Sequence, residues 1–325
     1  MLSTEERPVV TVTETKPAPS ATAFSDRIAP RVITSWTRGL AWATLVSQIL
    51  IVGTGGAVRL TGSGLGCPTW PRCTPESYVN VPEMGIHGVI EFGNRLLTFV
   101  LVAVAILTFV SVIRTRATGR GLILPAVLVA LYVPIQAVLG GITVLTGLNP
   151  YVVGLHYLAS IVIVCFATWY VWRVYHDRRL RGVTVAAPLP LLVGLTAFAA
   201  AATIVVGVLT TGSGPHAGDS GAARNGLDSE FLQHVHSWPA YALLALAVAV
   251  TALAHVRRAA LVRRYSLGLL GVIAVQIAVG LVQARLGLPE ILVGIHMVLA
   301  CLVAAAVTAT ALALRQTEKE PAELV

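Results

Sequence analysis

Charge is what this sequence has least of. Only 12% of its 325 residues are Asp, Glu, Lys or Arg, against roughly 25% in an ordinary soluble domain. With 56% hydrophobic residues, too few charges remain to cover a globular surface, which excludes a soluble Rossmann enzyme. Four cysteines do not make a secreted disulfide scaffold. An early apolar run is also missing. Residues 1–37 are rich in Thr, Pro, Ser and Ala and read as a disordered tail. They contain neither the short apolar stretch nor the small-residue cleavage site of a signal peptide, so the first apolar run is expected to be a retained span.

Long apolar runs fill the rest of the chain. A bilayer-spanning helix needs about 20 mostly apolar residues, and runs of that kind fall near 38–58, 86–113, 121–146, 151–172, 189–210, 232–255, 265–285 and 291–314. The sequence therefore predicts an all-α integral membrane protein with eight spans. Basic residues assign the sides. Arg7, Lys16, Arg27, Arg31 and Arg38 in the tail, three clusters in the even-numbered loops (Arg114 to Arg120, Arg173 to Arg181, Arg257 to Arg264), and Arg315 with Lys319 at the end all fall on one side. Only Arg59, Arg72, Arg224 and Arg285 fall on the other. The positive-inside rule then places both termini in the cytoplasm of a cell-membrane protein. The net charge of +8 is topological and implies no nucleic-acid partner.

The chain repeats itself. QAVLGGITVLTGLNPYVVGLH at Gln136–His156 aligns without a gap to QIAVGLVQARLGLPEILVGIH at Gln276–His296. The pairs Gln136/Gln276, Gly140/Gly280, Gly147/Gly287, Leu148/Leu288, Val153/Val293, Gly154/Gly294 and His156/His296 are identical. TGSG at Thr61–Gly64 recurs at Thr211–Gly214. A duplicated four-helix unit follows, with a first bundle over 38–172, a second over 189–314 and a cytoplasmic tail over 315–325. Because four is even, both copies keep one orientation, and their relating axis is expected along the membrane normal.

Ionisable side chains inside spans are costly and are candidates for function. Glu91 and Arg95 lie four apart on one face of span 2, suited both to a structural ion pair and to chemistry. His156 and His296 occupy equivalent positions, each roughly 8 Å inside the outer end of its helix at 1.5 Å per residue. Sliding EFGNR onto QHVHS matches Asn94 to His236. The second half then offers His236 and His296 from facing helices, an arrangement that holds a haem between axial imidazoles. The first half offers His156 opposite Asn94, a poor iron ligand. His87, two turns above Asn94, is a further candidate ligand or propionate contact. His234 lies on another helix face, His176 and His255 flank cytoplasmic arginines, and His216 sits in an outer loop with either role open. Cys67 and Cys73 in the first outer loop face an oxidising compartment that favours a disulfide over zinc. Cys165 and Cys301 read as small core side chains.

Taken together, GTGGAVRLTGSGLGCPTWPRC, IEFGNR, GLH, TGSGPHAGD and GIH resemble the haem A synthase family of cytochrome oxidase assembly, over about 40–314. The resemblance implies two four-helix bundles and an oxidoreductase that converts the C8 methyl of haem O to a formyl group by two successive oxidations. It also implies a b-type haem cofactor in the second half on His236 and His296, and a substrate haem in the first half on His156. Glu91 matches the family's reactive carboxylate, and Arg95 would hold it ionised or bind a propionate. The family's usual pattern has His where this chain has Asn94, and some members carry a second cysteine pair in the third outer loop that this chain lacks. Haem O synthase, a farnesyltransferase, and an electron donor are the partners implied. Two rival functions share the histidines: a diheme relay drawing electrons from quinol, and a haem-carrying assembly factor.

Overall fold

A computed structural model describes residues 24–176 and 187–315. Arg7, Lys16, Arg178, Arg179, Arg181 and Lys319, used above to assign sides, lie outside the described residues. A short helix, α1 (Phe24–Ile28), is followed by eight long ones: α2 (Ser35–Leu60), α3 (Gly85–Val112), α4 (Ile123–Leu145), α5 (Pro150–Tyr175), α6 (Leu189–Ser213), α7 (Ser229–Val256), α8 (Ala260–Arg285) and α9 (Glu290–Ala313). All eight are long and apolar enough to cross a membrane.

The helix ends follow from local chemistry. Thr34 and Thr37 form a reciprocal capping box at the start of α2, which satisfies orphan backbone donors. Asn149 accepts from the Tyr151 N–H at 3.0 Å ahead of Pro150 at the first position of α5, where a missing N–H costs nothing. Asp228 accepts from the Phe231 N–H at 2.8 Å to open α7. Several helices outrun their apolar runs. Helix α8 begins at Ala260 rather than 265, because a helix continues past the hydrocarbon edge with Arg263 and Arg264 in its first turns. The tail expected to be unstructured through residue 37 instead contains α1 and the start of α2. There Arg114 Nη1 meets Asp26 Oδ1 at 2.8 Å and donates to the Ala29 carbonyl at 3.3 Å.

Helices α2, α3, α4 and α5 pack in a closed ring, and α6, α7, α8 and α9 pack in a second. The two rings join where α9 packs on α2 and α5, and α5 on α6. The larger core draws on the first bundle and takes in Cys301 and Ala304 of α9. A second core joins Ala199, Leu243, Ala247, Leu269 and Val303 across the second bundle. Small residues at these contacts let backbones approach, as membrane helices require in place of a water-driven force. Outward, Phe99 (72% exposed) and Phe198 (73%) present apolar surface that water would not tolerate and lipid does.

The repeated sequence produces repeated local structure. Gly147 and Leu148 adopt left-handed conformations (φ 60° and 60°), as do Gly287 and Leu288 (φ 75° and 64°). Leu148 N–H returns to Thr143 O and Leu288 N–H to Gln283 O, each at 2.8 Å, so α4 and α8 end in the same reverse-turn cap. Gly154 and Gly294 both sit at contacts between the bundles. A Cβ at Gly154 would lie 2.6 Å from Val208 of α6, and one at Gly294 would lie 3.3 Å from Leu60 of α2. Overpacking of this kind costs about 1–3 kcal/mol. Gly154→Ala is therefore expected to lower thermal stability in detergent. Gly268→Ala, on an exposed helix position with open space around it, should be neutral or stabilising. Equal melting temperatures for the two variants would contradict this account of the interface.

Candidate functional site

His236 lies two turns into α7 and His296 nearly two turns into α9, and their ring centroids are 6.2 Å apart with planes inclined at 70°. Two imidazole–metal bonds of about 2 Å each, added to the two ring radii, span roughly 6 Å. The separation leaves room for one metal ion between the two imidazoles and also lies in the range of an edge-to-face ring pair. Glycine makes the room. A Cβ on Gly207 of α6 would lie 2.8 Å from His236 Cε1, and one on Gly280 of α8 would lie 3.1 Å from His296 Cε1. Gln276 Nε2 donates to the His296 carbonyl at 3.2 Å and braces that turn of α9. Both Nδ1 atoms are buried without a well-formed hydrogen bond. That is costly in a low-dielectric interior unless a bound group turns the rings.

The two histidines line a cavity of about 300 Å³ whose walls come mainly from the second bundle, with Tyr157 of α5 and Arg59 of α2 reaching in from the first. An apolar cavity with two facing imidazoles suits a flat, largely apolar group with an iron at its centre. The donor set, the glycine clearance and the orphaned nitrogens all fit a haem.

The first bundle repeats half of this arrangement. Gly140 gives clearance to His156, 3.4 Å from a Cβ to Cε1. Gln136 Nε2 donates to the His156 carbonyl at 3.5 Å and to Ser160 Oγ at 2.7 Å. The His156 Nδ1 is again buried and unpaired. Where the second half has His236, α3 carries half-buried Asn94, whose Oδ1 has no partner and whose amide nitrogen neighbours Gly55 of α2.

Glu91 is buried on α3 at 5% exposure and is fully engaged. Its Oε2 accepts the Cys67 N–H at 2.6 Å, and its Oε1 accepts from Arg95 Nε at 3.1 Å and from Nη2. Arg95 continues outward, donating to the Cys67, Thr69 and Arg72 carbonyls at 2.8–3.1 Å. The pair therefore clamps the loop closed by the Cys67–Cys73 disulfide, Cα–Cα 4.4 Å, onto the top of α3. The indole of Trp70 from the same loop packs flush on Gly141 of α4. Sequence spacing revealed the ion pair but not these loop contacts, which depend on a turn with no periodic pattern.

The remaining histidines are placed as follows. Exposed His87 bonds Ser63 Oγ through Nδ1 at 2.9 Å and borders an outer crevice with Asp219. His216 Nε2 bonds the Leu288 carbonyl at 2.9 Å. Exposed His234 bonds the Glu230 carbonyl at 2.9 Å within its own helix, and His176 stacks on Trp172 at 3.9 Å. His255 pairs with Arg263 at 3.1 Å. Cys165 and Cys301 are free thiols. Among the described residues no group of three or more His, Cys, Asp or Glu could hold a metal ion. Gly207 was not legible as a site residue because it has no counterpart in the aligned repeat. In the sequence Arg59 falls just past the apolar run 38–58 and shows only as a charge beyond the span, whereas the structure carries α2 through Leu60 and brings Arg59 into its last turn.

The clamp has a measurable consequence. Arg95→Ala removes the donors that hold the Cys67, Thr69 and Arg72 carbonyls and leaves Glu91 unpaired, a loss of several charge-assisted hydrogen bonds of about 1.5–3 kcal/mol each. The variant is expected to expose the 67–73 disulfide to reductant and the loop to protease at least about tenfold faster, with helical content unchanged. Wild-type protection in the variant would contradict the clamp.

Comparison with known proteins adds to this geometry. Curated proteins named Heme A synthase match part of the chain. The protein from Listeria welshimeri is 30% identical over 130 residues, covering 38% of this chain and 40% of its own length. That from Bacillus pumilus is 32% identical over 124 residues, 37% and 38% respectively. That from Bacillus licheniformis is 27% identical over 130 residues, 38% and 41%. The chain thus spans about two fifths of the length of these relatives. The COX15-CtaA family profile, described as cytochrome oxidase assembly protein, matches residues 38–308. That match runs from the second turn of α2 to the last turns of α9, over both bundles and both histidine sites, and the chain belongs to this family of cytochrome oxidase assembly proteins.

Proposed function

We propose that the protein is a haem A synthase that oxidises the C8 methyl of haem O to a formyl group. The observation that carries this reading is the asymmetry between two otherwise matched sites. His236 and His296 face each other at 6.2 Å, whereas the equivalent first-bundle position opposite His156 is Asn94. An electron relay has use for two equally saturated haem sites. A cofactor site beside an incompletely ligated substrate site suits an oxidase.

In this reading His236 and His296 would hold a b-type haem, which would supply one-electron redox chemistry when bound. Gly207 and Gly280 keep the two imidazoles upright, and Gln276 fixes the depth of His296. His156, braced by Gln136, gives the substrate haem one imidazole. Asn94 offers an amide in place of a second strong ligand. Glu91 is fixed in place by Arg95 and the Cys67 N–H, and the carboxylate stabilises positive charge developing at the methyl carbon or takes its proton. Each oxidation adds one oxygen atom to the C8 methyl carbon and balances with one dioxygen reduced by two electrons from a donor, the second oxygen leaving as water; the first gives the alcohol, and the second gives a hydrated aldehyde that loses water to leave the formyl group. The disulfide loop and Trp70 cover this region and exclude water. Arginine placement supports a plasma-membrane orientation with both termini in the cytoplasm. A haem O synthase, as supplier of substrate, and an electron donor are the partners that the chemistry requires.

The test is a haem profile of membranes from a haem-A-deficient host expressing each variant at matched level. Glu91→Gln should retain the second-bundle haem, whose ligands are on α7 and α9. Its haem A should fall by about a hundredfold or more, the range of a lost general base, with haem O or its alcohol accumulating. His156→Ala should give the same profile. Normal haem A from the Gln variant would remove Glu91 from the mechanism, and absence of haem A from wild type would remove the function.

A further inference from the structure

Arg59 lies in the last turn of α2, a first-bundle helix, yet its side chain lines the second-bundle cavity beside Thr211, Pro215 and His216. Guanidinium has five N–H donors. In Arg59 one Nη2 contact is made, to the Thr211 carbonyl at 3.1 Å, and Nε is buried with no partner. A second guanidinium, Arg224, is held by the Ala222 and Pro215 carbonyls within electrostatic reach of it. Among the described residues neither arginine meets a carboxylate, in contrast to Arg95 and Arg114, which pair with Glu91 and Asp26. At the mouth of an apolar cavity Arg59 is poorly solvated, and exposed Arg224 adds a like charge that repels it. Such charges are retained where an anion completes the site. At the same mouth, Gln283 offers a further polar group, with a buried and unpaired Oε1.

We propose that Arg59, backed by Arg224, anchors the propionate carboxylates of the tetrapyrrole held between His236 and His296. The inference rests on the haem reading of that cavity and adds its orientation: the carboxylate edge faces outward, toward the loop 211–216, and the apolar edge points into the bundle. The planar fork of arginine matches a carboxylate through two parallel hydrogen bonds, so Arg59 also selects against an uncharged porphyrin edge. The anchor crosses between bundles. The first half therefore supplies part of the second half's cofactor site, which a simple two-bundle division does not require.

The experiment is a titration of ferric haem, and of its dimethyl ester, into the full chain purified from haem-depleted cells, with the midpoint potential of each loaded protein. Arg59→Gln is expected to weaken binding of the free acid by about ten- to a hundredfold, the loss of a charged hydrogen-bonded pair. It should also lower the midpoint potential, since a nearby cation disfavours the ferric state. Arg59→Lys should recover part of both. The ester should bind wild type more weakly, and equally well with or without Arg59. If acid and ester bind wild type alike, the guanidiniums hold some other anion, such as a lipid phosphate, and the proposal fails. The ester arm decides even where the Gln variant does not fold. Normal haem uptake by wild type with an unaffected Gln variant would overturn this inference alone. Wild type that takes up no haem would overturn the parent reading as well.

Discussion

The approach of His236 to His296 across one cavity is the constraint around which the second bundle is arranged. His236 and His296 are carried by different helices, so their 6.2 Å separation is set by how α7 and α9 sit against α6 and α8. Glycine at 207 and 280 is the local condition: any Cβ there would press on a ring, tilting the imidazole or pushing the helices apart. Backbone bonds inside each helix satisfy the peptide groups as the bilayer demands, which leaves side chains at the helix contacts free to set this spacing. Gln276 and its counterpart Gln136 then tie each histidine-bearing turn to the neighbouring helix.

The first bundle takes the same scaffold to a different end. With Asn94 at the facing position, the strongest polar feature near the outer surface is the Glu91–Arg95 pair, which connects α3 to the disulfide loop through four backbone groups. A buried ion pair brings little net stability against an apolar replacement, but breaking one side of it is expensive. Here the pair fixes the Glu91 carboxylate in place. The cover over the first bundle and the candidate reactive group are thus one hydrogen-bonded unit.

Much of this was legible in the sequence, for identifiable reasons. Eight apolar runs of spanning length have few alternatives in a bilayer, and the helices begin and end within a few residues of those runs. The Gln–Gly–Gly–Gly–His repeat was visible because five polar or glycine positions at one fixed offset do not arise from shared hydrophobicity. The repeat pointed to His156 and His296, and through the matching of EFGNR to QHVHS it pointed to His236. The Cys67–Cys73 bridge was legible from its location. What was hidden lies between the bundles or in loops. Arg59 reaches across from α2, Trp70 packs on Gly141, and the Cys67 N–H meets Glu91, and none of these pairs shares a helix face or a period. The ordered turn α1 was hidden because its anchor, Arg114, comes from a distant helix end.

The central claim is that the second bundle is built to hold one iron between His236 and His296. Low-temperature electron paramagnetic resonance of the oxidised protein tests this most directly. The account predicts a low-spin ferric signal of bis-imidazole type in wild type. In His236→Ala and in His296→Ala that signal should be replaced by a high-spin signal or lost together with the haem. A low-spin bis-imidazole signal that survives either substitution would contradict it.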